Sequence, residues 1–244
     1  MNPEKIAGDA RERGARWLGE TTLKPRDGFL GRIEKMAATL ALWGARTNLT
    51  ADASDPAEIA FHVIDSLAPI AFAAGADREA LEAALAEGAN ALVLGSGAGS
   101  PGLVLAAAFE ARFTLAESRR KRASYLQVAA HEMGLENVAI DQRRASARSI
   151  ASGFDLVTAR AFGTSIELYE IAAAALRPGG LLLLYASADQ VPDASSGRVH
   201  AESVDRSRAH AMHFAEPAAW TYRLPHGERI AIRTAVLWRK APIA

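Results

Sequence analysis

The residues best placed to do chemistry begin with three glycines set two apart, Gly95, Gly97 and Gly99, followed by Ser100, Pro101 and Gly102. They end one apolar run, Ala91 to Leu94, and precede another, Leu103 to Phe109. A buried strand turning tightly into a helix has this pattern, because the turn visits positive φ and a missing Cβ lets a ligand approach the backbone. Pro101 suits the first turn of that helix. Free backbone N–H groups and a helix N-terminus would then lie beneath a ligand, which makes a nucleoside-type cofactor the first expectation. The same glycines also satisfy the pattern of dinucleotide-binding proteins.

Glu117 closes the next strand candidate, where a carboxylate accepts both hydroxyls of a ribose, a geometry that serves NAD and S-adenosylmethionine equally well. A helix-start acid beside Arg119 and Arg120 is the plainer reading of that residue. Arg160 closes a later strand, at the carboxyl edge where such sheets bind ligands; a surface ion pair with Asp155 or Glu167 is its alternative. His62 and Asp65 lie three apart on one helix face and can point together toward a cleft. His62 alone would read as a structural histidine.

The elements that must position these residues follow from periodicity. Phe29, Ile33, Met36, Leu40 and Trp43 predict a helix with one buried face. Asp55-Pro56-Ala57-Glu58 predicts a helix start, with Asp55 as N-cap and Glu58 closing a capping box. Ile59, Val63, Leu67 and Ile70 would be its buried face, and His62 and Asp65 would sit on a second, mostly polar one. Strands are expected at Ala91–Leu94, Phe113–Ala116, Val138–Asp141, Asp155–Ala159 and Leu181–Tyr185, with helices between them, one ending near Gly134 and one opening at Thr164-Ser165-Ile166-Glu167. Such alternation implies a parallel sheet covered on both faces. Ser187 to His213 reads as a polar loop or weak helix. Trp220–Leu224 and Arg229–Trp238, joined by Pro225-His226-Gly227-Glu228, read as a closing hairpin.

The 244 residues carry 28 Lys and Arg against 28 Asp and Glu, so no net field steers the molecule toward a polyanion. Positive charge is local. Arg119, Arg120, Lys121 and Arg122 follow Glu117, Arg143 and Arg144 follow the third strand, and Arg160 ends the fourth, so all lie toward one edge of the sheet. The chain has no cysteine, which excludes disulfides, thiolate metal sites and a cysteine nucleophile. No apolar run reaches the ~20 residues of a membrane span and no signal-peptide pattern opens the chain, so a cytoplasmic protein without a membrane partner is expected.

Leu176-Arg177-Pro178-Gly179-Gly180-Leu181 is similar to the phrase before the fifth strand of class I methyltransferases and is uncommon in dehydrogenases. With it in place the chain resembles the RsmG/GidB family, methyltransferases of a guanine in small-subunit 16S ribosomal RNA. The resemblance runs from about Leu40 to Trp238. It is carried by Asn48-Leu49-Thr50, His62 with Asp65-Ser66-Leu67, Gly95-Ser96-Gly97-Ala98-Gly99 with Pro101-Gly102, Glu117-Ser118 with Lys121-Arg122, Gly134-Leu135-Glu136-Asn137-Val138, Arg144-Ala145, and Arg160-Ala161-Phe162.

The resemblance implies an α/β fold of the class I S-adenosylmethionine-dependent type, Rossmann-like with a mostly parallel sheet over residues 76–244, and an N-terminal helical cap over residues 1–75. It implies S-adenosylmethionine as cofactor, with Gly95, Gly97, Gly99 and Ser100 around its methionine part, Glu117 on the ribose and the backbone of Ala145 and Ser146 near the adenine. Arg160, at the mouth, joins His62 and Asp65 at the reacting end. The implied reaction is methylation at guanine ring nitrogen seven. That nitrogen carries a lone pair and no proton, so in-line attack needs alignment and desolvation more than a general base. Ribosomal RNA or the small subunit is the implied partner of a monomer, with no DNA and no metal. The family's usual acid at the end of the first strand is Val93 here, its bulky residue after the glycines is Ser100, its Glu after Arg-Ala is Ser146, and its Lys-Gly after the fifth strand is Tyr185-Ala186. A small-molecule methyltransferase, or a cofactor-binding relative without catalysis, is the alternative; a nicotinamide oxidoreductase is more distant.

Overall fold

Asn2 starts the first helix by accepting the Glu4 N–H at 3.0 Å, with Pro3 supplying a preset φ. In this computed structural model, which describes residues 2–44, 49, 52–160, 166–187 and 212–242, α1 spans Pro3–Gly19 and α2 spans Phe29–Gly44. Phe29, Ile33, Met36 and Leu40 are buried along α2 as their spacing predicts, and Trp43 packs edge-on against Tyr125. Helix α3, Pro56–Phe72, is capped by Asp55, whose Oδ1 accepts the Ala57 N–H at 2.8 Å. Two expectations for α3 fail. The Glu58 carboxylate reaches two histidines rather than closing a capping box. No polar face exists from Val63 to Ile70 either, because α3 runs between α1 and the sheet and buries Asp65 and Ser66 with its apolar residues.

After α4, Gly75–Ala84, the chain alternates: β1 Asn90–Leu94, α5 Gly102–Ala108, β2 Arg112–Ala116, α6 Arg120–Glu132, β3 Val138–Asp141, β4 Phe154–Arg160, α7 Ile166–Ala175, β5 Leu176–Ser187, β6 Ala218–His226 and β7 Arg229–Arg239. The sheet order is β3-β2-β1-β4-β5-β7-β6. The first five strands are parallel and β7 inserts antiparallel between β5 and β6. This is the Rossmann-like methyltransferase sheet the resemblance implies. Strand β5 begins at Leu176, but the Arg-Pro-Gly-Gly turn has no partner on β4, and continuous pairing starts at Leu181, where the strand is expected. The polar segment expected from Ser187 to His213, and Asn48, Thr50, Ala161, Phe162, Thr164 and Ser165, fall largely or wholly outside the described residues.

Strand periodicity divides the core. Val93, Phe113, Leu115, Leu183 and Tyr185 face α1 to α6, whereas Leu92, Leu94, Val157, Leu182, Val236 and Trp238 face α7. Asn137 ties the α6 exit to α5 and β2: its Nδ2 donates to the carbonyls of Ala106, Phe109 and Ala111, and its Oδ1 accepts from Arg26. At the carboxyl edge Arg160 is level with Tyr185, and Ser187 pairs with Arg233. The hairpin tip, Arg223 to Ile232, therefore projects past the paired end of β5. Among the described residues no helix is long and apolar enough to cross a membrane.

Candidate active site

The first half of the site is the loop after β1. Gly95, Gly97 and Gly99 hold φ of 68°, 50° and 91°, the left-handed region the sequence calls for. The expected free N–H cradle is largely engaged by the protein itself. The N–H groups of Gly95 and Ser96 donate to the Ala116 carbonyl, that of Gly97 donates to Glu117 Oε2 at 3.0 Å, and that of Gly99 donates to the Ser96 carbonyl. Helix α5 begins at Gly102, one residue after Pro101, and is a short seven-residue element. Tyr125 props the loop from below, its hydroxyl donating to the Ala98 carbonyl at 3.3 Å.

This arrangement bears on the ligand. A pyrophosphate is held by several unengaged N–H donors at the loop and helix N-terminus, whereas a carboxylate after the second strand serves a ribose in a dinucleotide and in S-adenosylmethionine alike. Here four loop donors are engaged and a buried carboxylate, Glu117, sits against the loop. The Glu117 oxygens accept the N–H groups of Gly97 and Arg119 and still have lone pairs for two ribose hydroxyls. A cleft of about 190 Å³ opens between Gly95, Glu117, Ser118, Arg144, Ala145 and Glu167. It is smaller than the ~300–1,000 Å³ of typical small-molecule pockets, which suits a nucleoside end with the rest of the ligand lying along the loop. Ala145 lines the cleft. Ser146 instead bonds Ser149 Oγ at 2.7 Å, and Ser100 is buried behind the loop, so neither lines it. The missing Cβ of Gly99 makes room for Leu103.

The second half lies at the end of β4. Arg160 Nη1 donates to His62 Nδ1 at 3.2 Å and to Asp65 Oδ2 at 3.3 Å, which brings the three expected residues together. The alternative pairings do not occur, because Asp155 pairs with Arg177 and Glu167 with Arg144. Arg233 Nε stands 3.7 Å from Asp65 Oδ1, a buried oxygen that accepts no hydrogen bond among the described residues. His62 Nε2 lies 3.2 Å from Glu58 Oε1, and His226 Nε2 lies 2.6 Å from Glu58 Oε2. These contacts hold the Glu58 carboxyl down at about 2, through the hydrogen bond from His62 first and that from His226 after it, against the opposing effect of burial. His226 stacks on Phe61 with centroids 4.0 Å apart, and the Arg233 guanidinium lies 5.1 Å from the same ring.

Spacing does not single out Glu58, Arg233 and His226. Only the helix-start position of Glu58 and the turn position of His226 mark them, and each of those positions has a local structural use. Tyr185, standing where the family carries a cation, donates its hydroxyl to the Ser66 carbonyl at 2.8 Å, and burial raises its pKa. Val93 is fully buried, on the α5 side of the sheet and packed toward Gly102, so it does not face the cleft. The basic rim is also less available than its composition suggests. Arg143 is held bidentately by Asp141, at 2.8 Å on both oxygens, while Arg120 and Lys121 remain exposed.

Comparison with known proteins agrees with this geometry. The GidB family, described as rRNA small subunit methyltransferase G, matches residues 30–216. A relative from Wolinella succinogenes named ribosomal RNA small subunit methyltransferase G is 34% identical over 65% of this chain and 76% of its own length. One of the same name from Acidiphilium cryptum is 41% identical over 62% of this chain and 65% of its own length. A solved methyltransferase from Pyrococcus furiosus aligns over 73% of this chain and 93% of its own at a TM-score of 0.49 and 16% identity, too remote to bear on activity.

Proposed function

Since the chain belongs to the GidB family of rRNA small subunit methyltransferases, we propose that its cleft carries S-adenosylmethionine-dependent methylation of ring nitrogen seven of a guanine in 16S ribosomal RNA. The observation that supports the cofactor assignment is the buried Glu117 carboxylate, which takes the Gly97 N–H and keeps lone pairs for a ribose, and the family membership favours S-adenosylmethionine over a dinucleotide. Glu117 and the backbone from Gly95 to Gly99 would hold the nucleoside and methionine parts, with Ala145 at the base. When bound, the cofactor supplies an electrophilic methyl group on a sulfonium.

The chain's own residues align and desolvate the nucleophile. Guanine ring nitrogen seven lies beside the O6 acceptor on the same edge. An arginine left to itself pairs with both, and so would cap the lone pair that must attack. Among the described residues only Nη1 of Arg160 is engaged, by His62 and Asp65, and Nε and Nη2 remain to donate to O6 or to a phosphate. Asp65 also balances the Arg160 charge beside a base that becomes cationic on methylation. No residue need remove a proton. The helices of residues 1–75 would serve as a cap, carrying His62 and Asp65 to the rim on α3, and exposed Arg120 and Lys121 would meet the RNA backbone.

The test is transfer of labelled methyl to 16S ribosomal RNA or small subunits from cells lacking this gene, followed by cleavage at seven-methylguanine. A single cleavage site is expected. Transfer to small amines or phenols with none to RNA would move the reading to a small-molecule enzyme.

A further inference from the structure

We propose that Glu58 is a positioning residue for methyl transfer, fixing His62 as a hydrogen-bond acceptor toward Arg160 while tying the β6–β7 hairpin to the same site through His226. The inference rests on the functional reading above for what Arg160 does, and on geometry alone for how Arg160 is held.

Every arginine nitrogen is a donor, so His62 Nδ1, 3.2 Å from Arg160 Nη1, must present its lone pair. The proton of a neutral His62 then sits on Nε2, which faces Glu58 Oε1 at 3.2 Å. Glu58 is ionised and acceptor-only, so it selects this tautomer. Without the carboxylate the ring gains no preference for Nε2–H, and the other tautomer sets an N–H against the Arg160 N–H. The guanidinium would then hang from Asp65 alone, at 3.3 Å.

The second Glu58 oxygen receives His226 at 2.6 Å. His226 ends β6, past the paired end of β5, and is stacked on Phe61 of α3. Arg233 of β7 approaches Asp65 from the same hairpin. One carboxylate on α3 therefore joins the end of β4 to the projecting hairpin, across 168 residues of chain between Glu58 and His226. The charged and titratable groups in this junction are Glu58, His62 and Asp65 of α3, Arg160 of β4, His226 of β6 and Arg233 of β7.

The test uses the full chain with saturating S-adenosylmethionine and 16S ribosomal RNA. Glu58→Ala is expected to slow methyl transfer at least about tenfold, to leave cofactor affinity within about twofold, and to add nothing in an Arg160→Ala background, since it acts through that residue. Glu58→Gln keeps an acceptor for His62 once His226 turns a lone pair to the amide, and should retain several times the rate of Glu58→Ala. Nitrogen-15 spectra should show His62 protonated on Nε2 in the parent and a mixture of tautomers in Glu58→Ala. If Glu58→Ala does not fold, Glu58→Gln and the parent spectrum decide. Parent-like turnover in Glu58→Ala, losses that add to those of Arg160→Ala, or a His62 proton on Nδ1 in the parent would overturn the inference. A parent protein that leaves ribosomal RNA unmethylated counts against the functional reading, and the tautomer still decides this one.

Discussion

The two halves of the cleft are built on different principles. The nucleoside side is assembled from neighbours in sequence, Gly95 to Gly99 against Ala116 to Arg119, and is closed by backbone hydrogen bonds. The reacting side is assembled from α3, the end of β4 and the C-terminal hairpin, and is closed by charged side chains spaced 95 and 168 residues apart. Most of these bonds join backbone to backbone and Glu117 alone contributes a side-chain acceptor, so the first half is a rigid cradle. A network of six charged or titratable side chains is sensitive to each member, so the second half is where substitutions should change the rate without changing the cofactor's place.

The sharpest way to break the shared frame is Val93→Asp. The family's acid at this position would lie in a fully buried site beside Gly102 and Leu115, away from the cleft, and should cost at least about 3 kcal/mol of stability in chemical denaturation without tightening cofactor binding. Asn137→Ala comes next. It removes one amide serving three carbonyls and Arg26, and should cost about 2–3 kcal/mol while leaving methyl transfer by the folded fraction unchanged. Glu117→Ala sharpens the comparison from the cradle side. Calorimetry should show S-adenosylmethionine binding weakened by about 1–3 kcal/mol, as for hydrogen bonds to a charged acceptor, with the rate at saturating cofactor little altered and no binding of NAD in either protein.

Acid stability reads the charged half alone. The Glu58 carboxyl is held near 2 in the folded protein against about 4.5 in the unfolded chain. A depressed carboxyl contributes stability that is fully present above the unfolded value and is lost as pH falls from there through the folded one. Unfolding followed between about pH 5 and pH 2 should therefore show a steeper loss in the parent than in Glu58→Gln, whose amide does not titrate.

The same contrast explains what the sequence makes legible. The strands, the glycine turn, Glu117 and the capping by Asp55 are local patterns, and each lies where spacing puts it. Arg160, His62 and Asp65 are recognisable by type and by family, and the fold brings them within hydrogen-bond distance. Glu58 is misread because a helix-start glutamate has a local use, the capping box, and only the tertiary approach of His226 competes with it. The polar face assigned to α3 disappears for a related reason: Asp65 is 3% exposed because α1 and the sheet enclose the helix, and amphipathic periodicity cannot report a second buried side. Arg143 and the loop N–H groups suggest a ligand by type, yet Asp141 engages Arg143 and the Ala116 carbonyl, the Glu117 carboxylate and the Ser96 carbonyl engage the loop.

The claim that the cradle binds and the charged network reacts is tested most directly by the single-turnover rate of methyl transfer to 16S ribosomal RNA in Arg160→Ala, at cofactor concentrations shown by calorimetry to saturate. The account predicts a fall of about a hundredfold or more, with the cofactor dissociation constant within about twofold of the parent. An unchanged rate, or a loss fully restored by raising the cofactor concentration, would contradict it.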